Sequence, residues 1–515
     1  MKRGSITVFL ALTLVLVLSF IFSLLEGARV CCLKSRAELV SELCMQSMFG
    51  NYHAGMWEDY HLLFLDGSWQ EGELSMDRFA AEAMETAREN LSAAAKNPWN
   101  KGYNLVALEL KDMTVNGFQL ATDQSGKVFQ SQVALQMQME AAVDALEGLL
   151  KVKEQGSQAE SQVEQKEQGW NQAWDAMDTA EQWEPPEESS GESEGEEPSE
   201  ESGGESEGEE EPPGETGESE GEQMENPMEY VKGLKSSAVL SLVVKNPSDV
   251  SNKALQSPKF ISDRRLFVGN WEQKPDTGSL DRLWLQYYIQ NYFSNYTEKS
   301  EKGAREKALD YEMEYLLAGK DSDGANLETV VYELLGIREA MNFVTIMQDG
   351  EKKGLAYSIA TAAVGFTGMP LLVKAVQIGI LLAWAFVESV LDVRTLLDGK
   401  KVPFLKRADQ WCSDLKNCQG TVESNSKSEE DGQGLTYTQY LQMLLFLLSE
   451  KTINYRCMDL MERNEGVRMD HMIQAVEGTF DYKAQPLFWR WNFVAAGGWD
   501  TFYMQKTTSM TYGSR

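Results

Sequence analysis

The chain has 515 residues, enough for two or three domains and a sizeable core. Its 47 Lys and Arg face 80 Asp and Glu, a net charge of −33; an acidic excess of that size argues against a general nucleic-acid binder, because phosphate contacts need basic side chains. The excess is uneven: residues 181–225 contribute −20 through 20 Glu with no Asp, Lys or Arg, and the rest of the chain carries −13. Three His (His53, His61, His471) leave little for imidazole-based chemistry, and six Cys are too few for a disulfide scaffold.

Met1-Lys2-Arg3-Gly4-Ser5 leads into residues 6–25, which carry no charge. As a helix rising about 1.5 Å per residue, a run of this length spans roughly 30 Å, the thickness of a bilayer core. Ile6, Val8, Phe9, Leu10, Leu12, Leu14, Leu16, Leu18, Phe20, Phe22 and Leu25 supply its apolar surface, and the hydroxyls of Thr7, Thr13 and Ser19 can bond to the helix backbone. The run exceeds the apolar stretch of a secretory signal, about 7–15 residues, and Glu26-Gly27-Ala28-Arg29-Val30 offers no small-x-small cleavage site. The segment therefore reads as a retained single-pass anchor rather than a cleaved signal or a buried soluble helix. Lys2 and Arg3 before the span nearly balance Arg29, Lys34 and Arg36 after it, so charge alone leaves the orientation open. Cys31 and Cys32 read as juxtamembrane thiols.

Residues 29–49 continue as a helix, with Val30, Leu33, Ala37, Val40, Leu43 and Met48 near helical spacing. Leu62-Leu63-Phe64-Leu65-Asp66-Gly67 reads as a strand and turn, residues 76–91 as a helix, and residues 105–115 as a strand through Leu108 and Leu110. Residues 128 to about 183 form one long polar helix, which lacks a sustained heptad beyond Leu150 and so reads as a solvated arm. Residues 184–225 are low-complexity Glu, Ser, Gly and Pro, too poor in apolar side chains to offset chain entropy and so an extended spacer. Within it, Gly191-Glu192-Ser193-Glu194-Gly195 matches a hydrolase G-x-S-x-G elbow, but without the strand-to-helix context the elbow needs.

Further along, residues 237–245 read as a short strand, residues 280–293 and 309–317 as helices, the second stopping at Ala318-Gly319-Lys320-Asp321-Ser322-Asp323-Gly324, and Asn326 as the cap of a helix through Asn342. Residues 355–373 are uncharged and long enough to cross a bilayer, but Gly354, Gly365, Gly368 and Pro370 break the apolar run before it closes at Glu388 and Asp392. This region reads as a buried helical pair, with a membrane hairpin as the alternative. A helix opens at Thr436-Tyr437-Thr438-Gln439 and runs to about Asn464. The aromatic-rich residues 480–512, with Phe488, Trp491, Phe493, Trp499, Phe502 and Tyr503, read as antiparallel strands.

Little catalytic chemistry stands out. Asp321, Asp323 and Asn326 form an oxygen-rich loop, but an EF-hand loop would need Glu where Tyr332 stands, so a helix-capping turn fits better. Glu388 and Asp392 are paired at i, i+4 and are best explained by ion pairing with Lys374, Arg394 or Arg338. Cys412 and Cys418 enclose a short loop and are candidates for a disulfide outside the cell. His53 and His61 read as packing or hydrogen-bonding residues. No P-loop, HExxH, CxxC pair or dinucleotide fingerprint is present.

Two resemblances bear on function. Lys2-Arg3-Gly4-Ser5-Ile6-Thr7-Val8-Phe9-Leu10-Ala11-Leu12, closed by Glu26-Gly27-Ala28-Arg29, resembles the amino-terminal segment of tight-adherence (Tad) pilus pseudopilins. That resemblance implies an inside amino terminus, an extracytoplasmic body and processing between Gly4 and Ser5; the chain departs from it in lacking Glu between Val8 and Phe9. Three further blocks resemble the domain-of-unknown-function 5702 family. They are Asp310-Tyr311-Glu312-Met313-Glu314-Tyr315 through Ile337-Arg338-Glu339-Ala340-Met341-Asn342, Leu382-Ala383-Trp384-Ala385-Phe386-Val387-Glu388-Ser389-Val390 with Gly399-Lys400-Lys401-Val402-Pro403, and Tyr437-Thr438-Gln439-Tyr440-Leu441 with Arg456-Cys457-Met458-Asp459-Leu460. This family is similar to Tad-pilus-associated membrane proteins, and the resemblance implies no catalytic residue.

The expected fold class is mainly α with short β elements (α+β): an anchor over 1–29, an amino-terminal region over 30–183, an acidic linker over 184–227 and a helical domain with terminal strands over 228–515. The expected function is a non-enzymatic structural or assembly component of a Tad-like pilus or secretion apparatus, single-pass in the cell membrane with its bulk outside. Membrane lipid and other assembly proteins, met through the amino-terminal helix, are its expected partners; no cofactor, metal or nucleic acid is expected. An adhesive or wall-binding surface protein is the alternative, and a surface hydrolase ranks below it.

Overall fold

The first helix, α1, runs unbroken over Arg3–Phe49. After it come α2 (Ala54–Tyr60), the short strand β1 (Leu65–Asp66), α3 (Met76–Ala93), β2 (Glu109–Leu120), α4 (Asp123–Glu140) and α5 (Val143–Glu181). Past the acidic tract lie α6 (Val239–Val243), α7 (Asp281–Tyr292), α8 (Glu312–Ala318), α9 (Asp323–Gln348), α10 (Gly350–Val364), α11 (Pro370–Leu397), α12 (Cys418–Glu423), α13 (Tyr437–Leu445), α14 (Glu450–Glu465), β3 (Met472–Ala484) and β4 (Phe502–Thr511). The fold is mainly helical α+β with one small antiparallel sheet, as expected. This computed structural model describes residues 3–69, 72–93, 104–140, 143–181, 231, 233–235, 238–255, 260–271, 278, 280–298, 306–424, 426–428, 432, 434–488 and 501–513. The acidic spacer and the aromatic positions Trp491, Phe493 and Trp499 lie outside the described residues.

The chain forms two compact units that cut across the division into 30–183 and 228–515. One comprises Met1–Gly156, Val250–Val330 and Thr438–Arg515; the other comprises Ser157–Asp249 and Val331–Tyr437. The reason is strand pairing. β3 is the centre of the sheet, antiparallel to β2 on one side and to β1 and β4 on the other. Leu110 stands opposite Tyr482 and Met113 opposite Phe480, so residues far apart in sequence share one ladder.

In the first unit, the second half of α1 and α3 share a core with this sheet. Ala37, Val40, Cys44 and Met48 of α1 meet Phe79 and Ala83 of α3 and Val476 and Phe480 of β3. Cross-links fix the register: Ser41 Oγ and Tyr482 Oη share a hydrogen bond of 2.8 Å, and Tyr512 Oη donates to the Phe49 carbonyl at 2.6 Å. α8 ends where the sequence predicts, at Gly319, whose φ of 64° is left-handed. A Cβ there would lie 2.5 Å from the Arg456 guanidinium, which caps α8 by donating to the Leu316 and Leu317 carbonyls.

Several local expectations are corrected. The strand expected at 237–245 is the short helix α6, whose buried Val239, Leu242 and Val243 have helical spacing; a short uninterrupted apolar run does not by itself separate strand from helix. The helix expected over 128 to about 183 is seen as α4 and α5, and residues 141 and 142 between them lie outside the described residues. α5 is not wholly a solvated arm: it buries Leu149, Val152, Gly156 and Ala159 in a three-four alternation that small residues concealed. The helix expected through Asn464 is α13 and α14, with Ser449 capping the second. Asn326 caps nothing; α9 starts at Asp323, and the Asn326 amide brackets Lys320, accepting from its N–H at 2.7 Å and donating to its carbonyl at 3.1 Å.

The second unit is organised by α11. Residues 379–397 of this helix are all buried, whereas α10 buries only Ala356 and Ala360. The expected buried helical pair thus holds for one end of one helix. Glu388 and Asp392, one turn apart on α11, meet a cation the sequence reading missed: Lys406 pairs with both. Arg338 donates to Asp392 from Nε at 3.0 Å and Nη2 at 2.8 Å, and Ser428 Oγ donates to it at 2.6 Å. Arg394 instead serves the carbonyls of Leu242 and Val422, and Lys374 is exposed. Burial pushes the Asp392 carboxyl up, but the charges of Arg338 and Lys406 outweigh it and hold the group at about 2. An unfolded Asp titrates near about 3.9. Its stabilising contribution is therefore full above that pH and is lost as pH falls toward 2. Asp392→Asn should destabilise the second unit by about 3–5 kcal/mol at pH 7, since it strands two buried cations. In urea titrations the gap from the unmodified chain should narrow at pH 2.5; a gap that is small or independent of pH would contradict this.

Candidate membrane anchor and its polar collar

α1 changes character at Glu26. Before it, the side chains of the uncharged run are exposed all round the helix, among them every predicted anchor residue from Ile6 to Leu25. The most apolar 18-residue window has a mean hydropathy of 2.9, and none of it is buried. Thr13 Oγ1 donates to the Phe9 and Leu10 carbonyls, so this polar group is satisfied within the helix. Gly4 and Ser5 lie in the first turn of the same helix.

From Glu26 onward the buried positions are 26, 29, 33, 37, 40, 41, 44, 45, 48 and 49, one face of the helix recurring at three- and four-residue steps. At the junction sits a polar collar. Arg29 Nη1 donates to Glu26 Oε1 at 2.7 Å, and both side chains are only 7% exposed. Arg29 also donates to the carbonyls of Leu105 (2.5 Å) and Gln485 (2.9 Å), while Glu26 Oε2 accepts from the amides of Leu487 (3.2 Å) and Phe488 (3.0 Å). The Phe22 and Phe488 rings stack with centroids 5.9 Å apart. About two helical turns further on, Arg36 donates to the carbonyls of Val106 and Leu91. The body thus grips α1 where its apolar half begins. The sequence signal was present as an i, i+3 acid–base pair directly after a charge-free run.

The other sequence candidates have structural partners. The Asp323 carboxylate is buried and accepts from Ser251 Oγ and the amides of Asp310 and Tyr311. His53 caps α2 by accepting from the Met56 amide, and His61 Nδ1 lies 2.5 Å from Tyr292 Oη. Cys412 and Cys418 are not joined to each other: Cys412 is exposed, while Cys418 is buried with its Sγ directed at the Leu415 carbonyl. Cys31 and Cys32 are exposed. Burial pushes the Cys44 thiol up to about 12, which leaves it inert at neutral pH. Burial likewise raises the Asp459 carboxyl to about 6, but that group accepts from the Ile261 amide and the Tyr315 hydroxyl, as a packed core residue does.

Two concavities stand out. In the first unit, a pocket of about 600 Å³ is lined by Tyr52, His53, Asp66, Trp69 and Glu465 among others. In the second, about 320 Å³ surrounds Lys166, Lys235 and Glu339, where both lysines pair with the one carboxylate. Among the described residues, no three His, Cys, Asp or Glu side chains converge as a metal site.

Residues 217–484 match the model of a family of unknown function, DUF5702, and the chain belongs to that family. The match covers the blocks that supply Glu312, Asp323, Arg338, Glu388, Asp392 and Asp459, all of them buried. No curated protein and no solved structure matches the chain.

The collar makes a prediction of its own. Removing the carboxylate leaves the Leu487 and Phe488 amides without their acceptor and the Arg29 charge without its partner. Each such loss carries about 1–3 kcal/mol. In Glu26→Ala, these two amides should exchange with deuterium roughly tenfold faster or more, whereas the amides of α3 should keep their rates. Unchanged exchange at 487 and 488 would show that the collar does not hold this segment.

Proposed function

We propose that this protein is a membrane-anchored structural or assembly component of a Tad-like pilus or secretion apparatus, with its bulk on the extracytoplasmic side and no enzymatic role. The observation that carries the reading is the helix that is bare and apolar over residues 6–25 and packed into a folded body from Glu26 onward. A rigid rod of this kind transmits position: what the apolar half meets in the membrane is coupled directly to the body. Side-by-side packing of apolar halves from neighbouring chains would then order their bodies in an array.

Three features support the finer points. The amino-terminal segment resembles that of Tad pseudopilins. Lys2 and Arg3 precede the span and suit a cytoplasmic amino terminus. Arg29 and Arg36, which made the charge count nearly even, bind carbonyls of the body, and this accounts for their presence beyond the span. A second reading, adhesion or wall binding, draws on the pocket lined by Tyr52, Trp69, Asp66 and Glu465, where aromatic faces beside carboxylates suit a polar ligand.

The assembly reading is tested by placing a photo-crosslinking side chain at Leu10 or Leu16 in living cells. Adducts with membrane-spanning proteins of a pilus or secretion apparatus, absent when the label sits at Lys400, are the expected result. Adducts with lipid alone would retain the anchor and contradict the assembly role.

A further inference from the structure

The hairpin of α10 and α11 leaves an apolar surface that its own unit does not cover. Residues 355–373 carry no charge. At the turn, Phe366 is 87% exposed and Leu371 75%, and Tyr357 is half exposed on the flank. We infer that this hairpin dips into the lipid of a membrane as a re-entrant insertion, a second contact besides α1. The inference takes from the anchor reading only that a membrane lies beside the chain.

Four observations favour lipid over a protein partner. The first is internal satisfaction of polar side chains. Ser358 Oγ donates to the Leu355 carbonyl, Thr361 Oγ1 to the Tyr357 carbonyl and Thr367 Oγ1 to the Val364 carbonyl, at 2.7–2.8 Å. The hairpin thus offers few side-chain bonds to a protein, and hydrocarbon requires that arrangement. Thr13 in α1 behaves in the same way. The second is the backbone of the turn: the amide of Gly365 bonds to the Thr361 carbonyl, that of Gly368 to the Gly365 carbonyl and that of Met369 to Thr367 Oγ1, while Pro370 has no amide hydrogen.

The third is length. Residues 355–364 rise about 15 Å as a helix, half of a hydrocarbon core of about 30 Å, so the turn reaches the midplane without crossing. The fourth is charge. In a chain of net −33, the base of the hairpin carries Lys352 and Lys353 against one exposed acid, Glu351. Lys352 is paired with Asp349, which leaves Lys353 at the depth of anionic headgroups, while the exposed Lys374, four residues past Pro370, reaches toward them along its apolar stem.

The test uses the full chain in vesicles of phosphatidylglycerol and phosphatidylethanolamine. The exposed thiols are removed as Cys31→Ser, Cys32→Ser and Cys412→Ser, and an environment-sensitive fluorophore is attached at Phe366→Cys or, as a control on the body, at Lys400→Cys. Both positions are exposed, so neither label disturbs packing. The label at 366 should be shielded from iodide and lose most of its emission to nitroxides on lipid acyl chains, whereas the label at 400 should show the reverse. A chain that floats with the vesicles while iodide quenches position 366 as fully as position 400 overturns the insertion and leaves the anchor standing. Shielding from iodide without quenching by lipid nitroxides, with energy transfer between labelled copies, also overturns it and assigns the surface to a second copy. A chain that fails to float overturns both readings.

Discussion

One helix with two solvents constrains everything else. Over residues 6–25, α1 exposes fifteen large apolar side chains, each 41–70% accessible. Leaving such a side chain wholly in water forfeits about 1.5–3 kcal/mol. Even at half weight the sum is about 10–20 kcal/mol, as large as the whole stability of an ordinary domain, about 5–15 kcal/mol. A structure cannot carry that exposure in water as a solitary monomer, so the apolar half needs lipid or neighbouring helices. The same helix cannot slide freely into that medium, because Glu26 and Arg29 tie it to backbone groups at 105 and 485–488.

The body is built to hold that tie. The collar draws on the approach to β2 and on the stretch after β3, the latter the central strand of the sheet and the former its paired neighbour. The face of α1 beyond the collar packs on the same sheet, so grip and core are one structure. In the second unit a different device operates. Two carboxylates and two cations are buried together on and around α11, a poor choice for raw stability but one that penalises any register in which a partner is missing. We take its role to be specification of one packing for an unusually apolar helix, which would otherwise find many. Replacement of all four ionic residues by apolar side chains that preserved a single well-ordered fold would argue against that role.

Much of this was legible in the sequence. The charge-free run at 6–25, the periodic continuation through Met48, the helix at 76–91 and the stop at Gly319 are all local signals, and all were read from spacing or backbone chemistry. What escaped detection was non-local. Lys406 could not be matched to Glu388 from spacing, because the chain returns to α11 through a loop. The domain division followed chain order, whereas β2 and β3 are joined across more than 350 residues of sequence. The heptad of α5 was missed because Gly156 and Ala159 stand at its core positions. The family likeness was legible as well, in blocks that fall inside the matched residues 217–484.

The most direct measurement of the central claim uses the native thiols. Cys31 and Cys32 are exposed a few residues past the collar, while Cys44 and Cys457 are buried. Intact cells are treated with a membrane-impermeant maleimide, and their membranes are then extracted at alkaline pH. Our account predicts that the chain is labelled at Cys31 and Cys32 in sealed cells and remains in the lipid pellet. Labelling at those positions only after the cells are opened, or a labelled chain released into the soluble fraction, would contradict it.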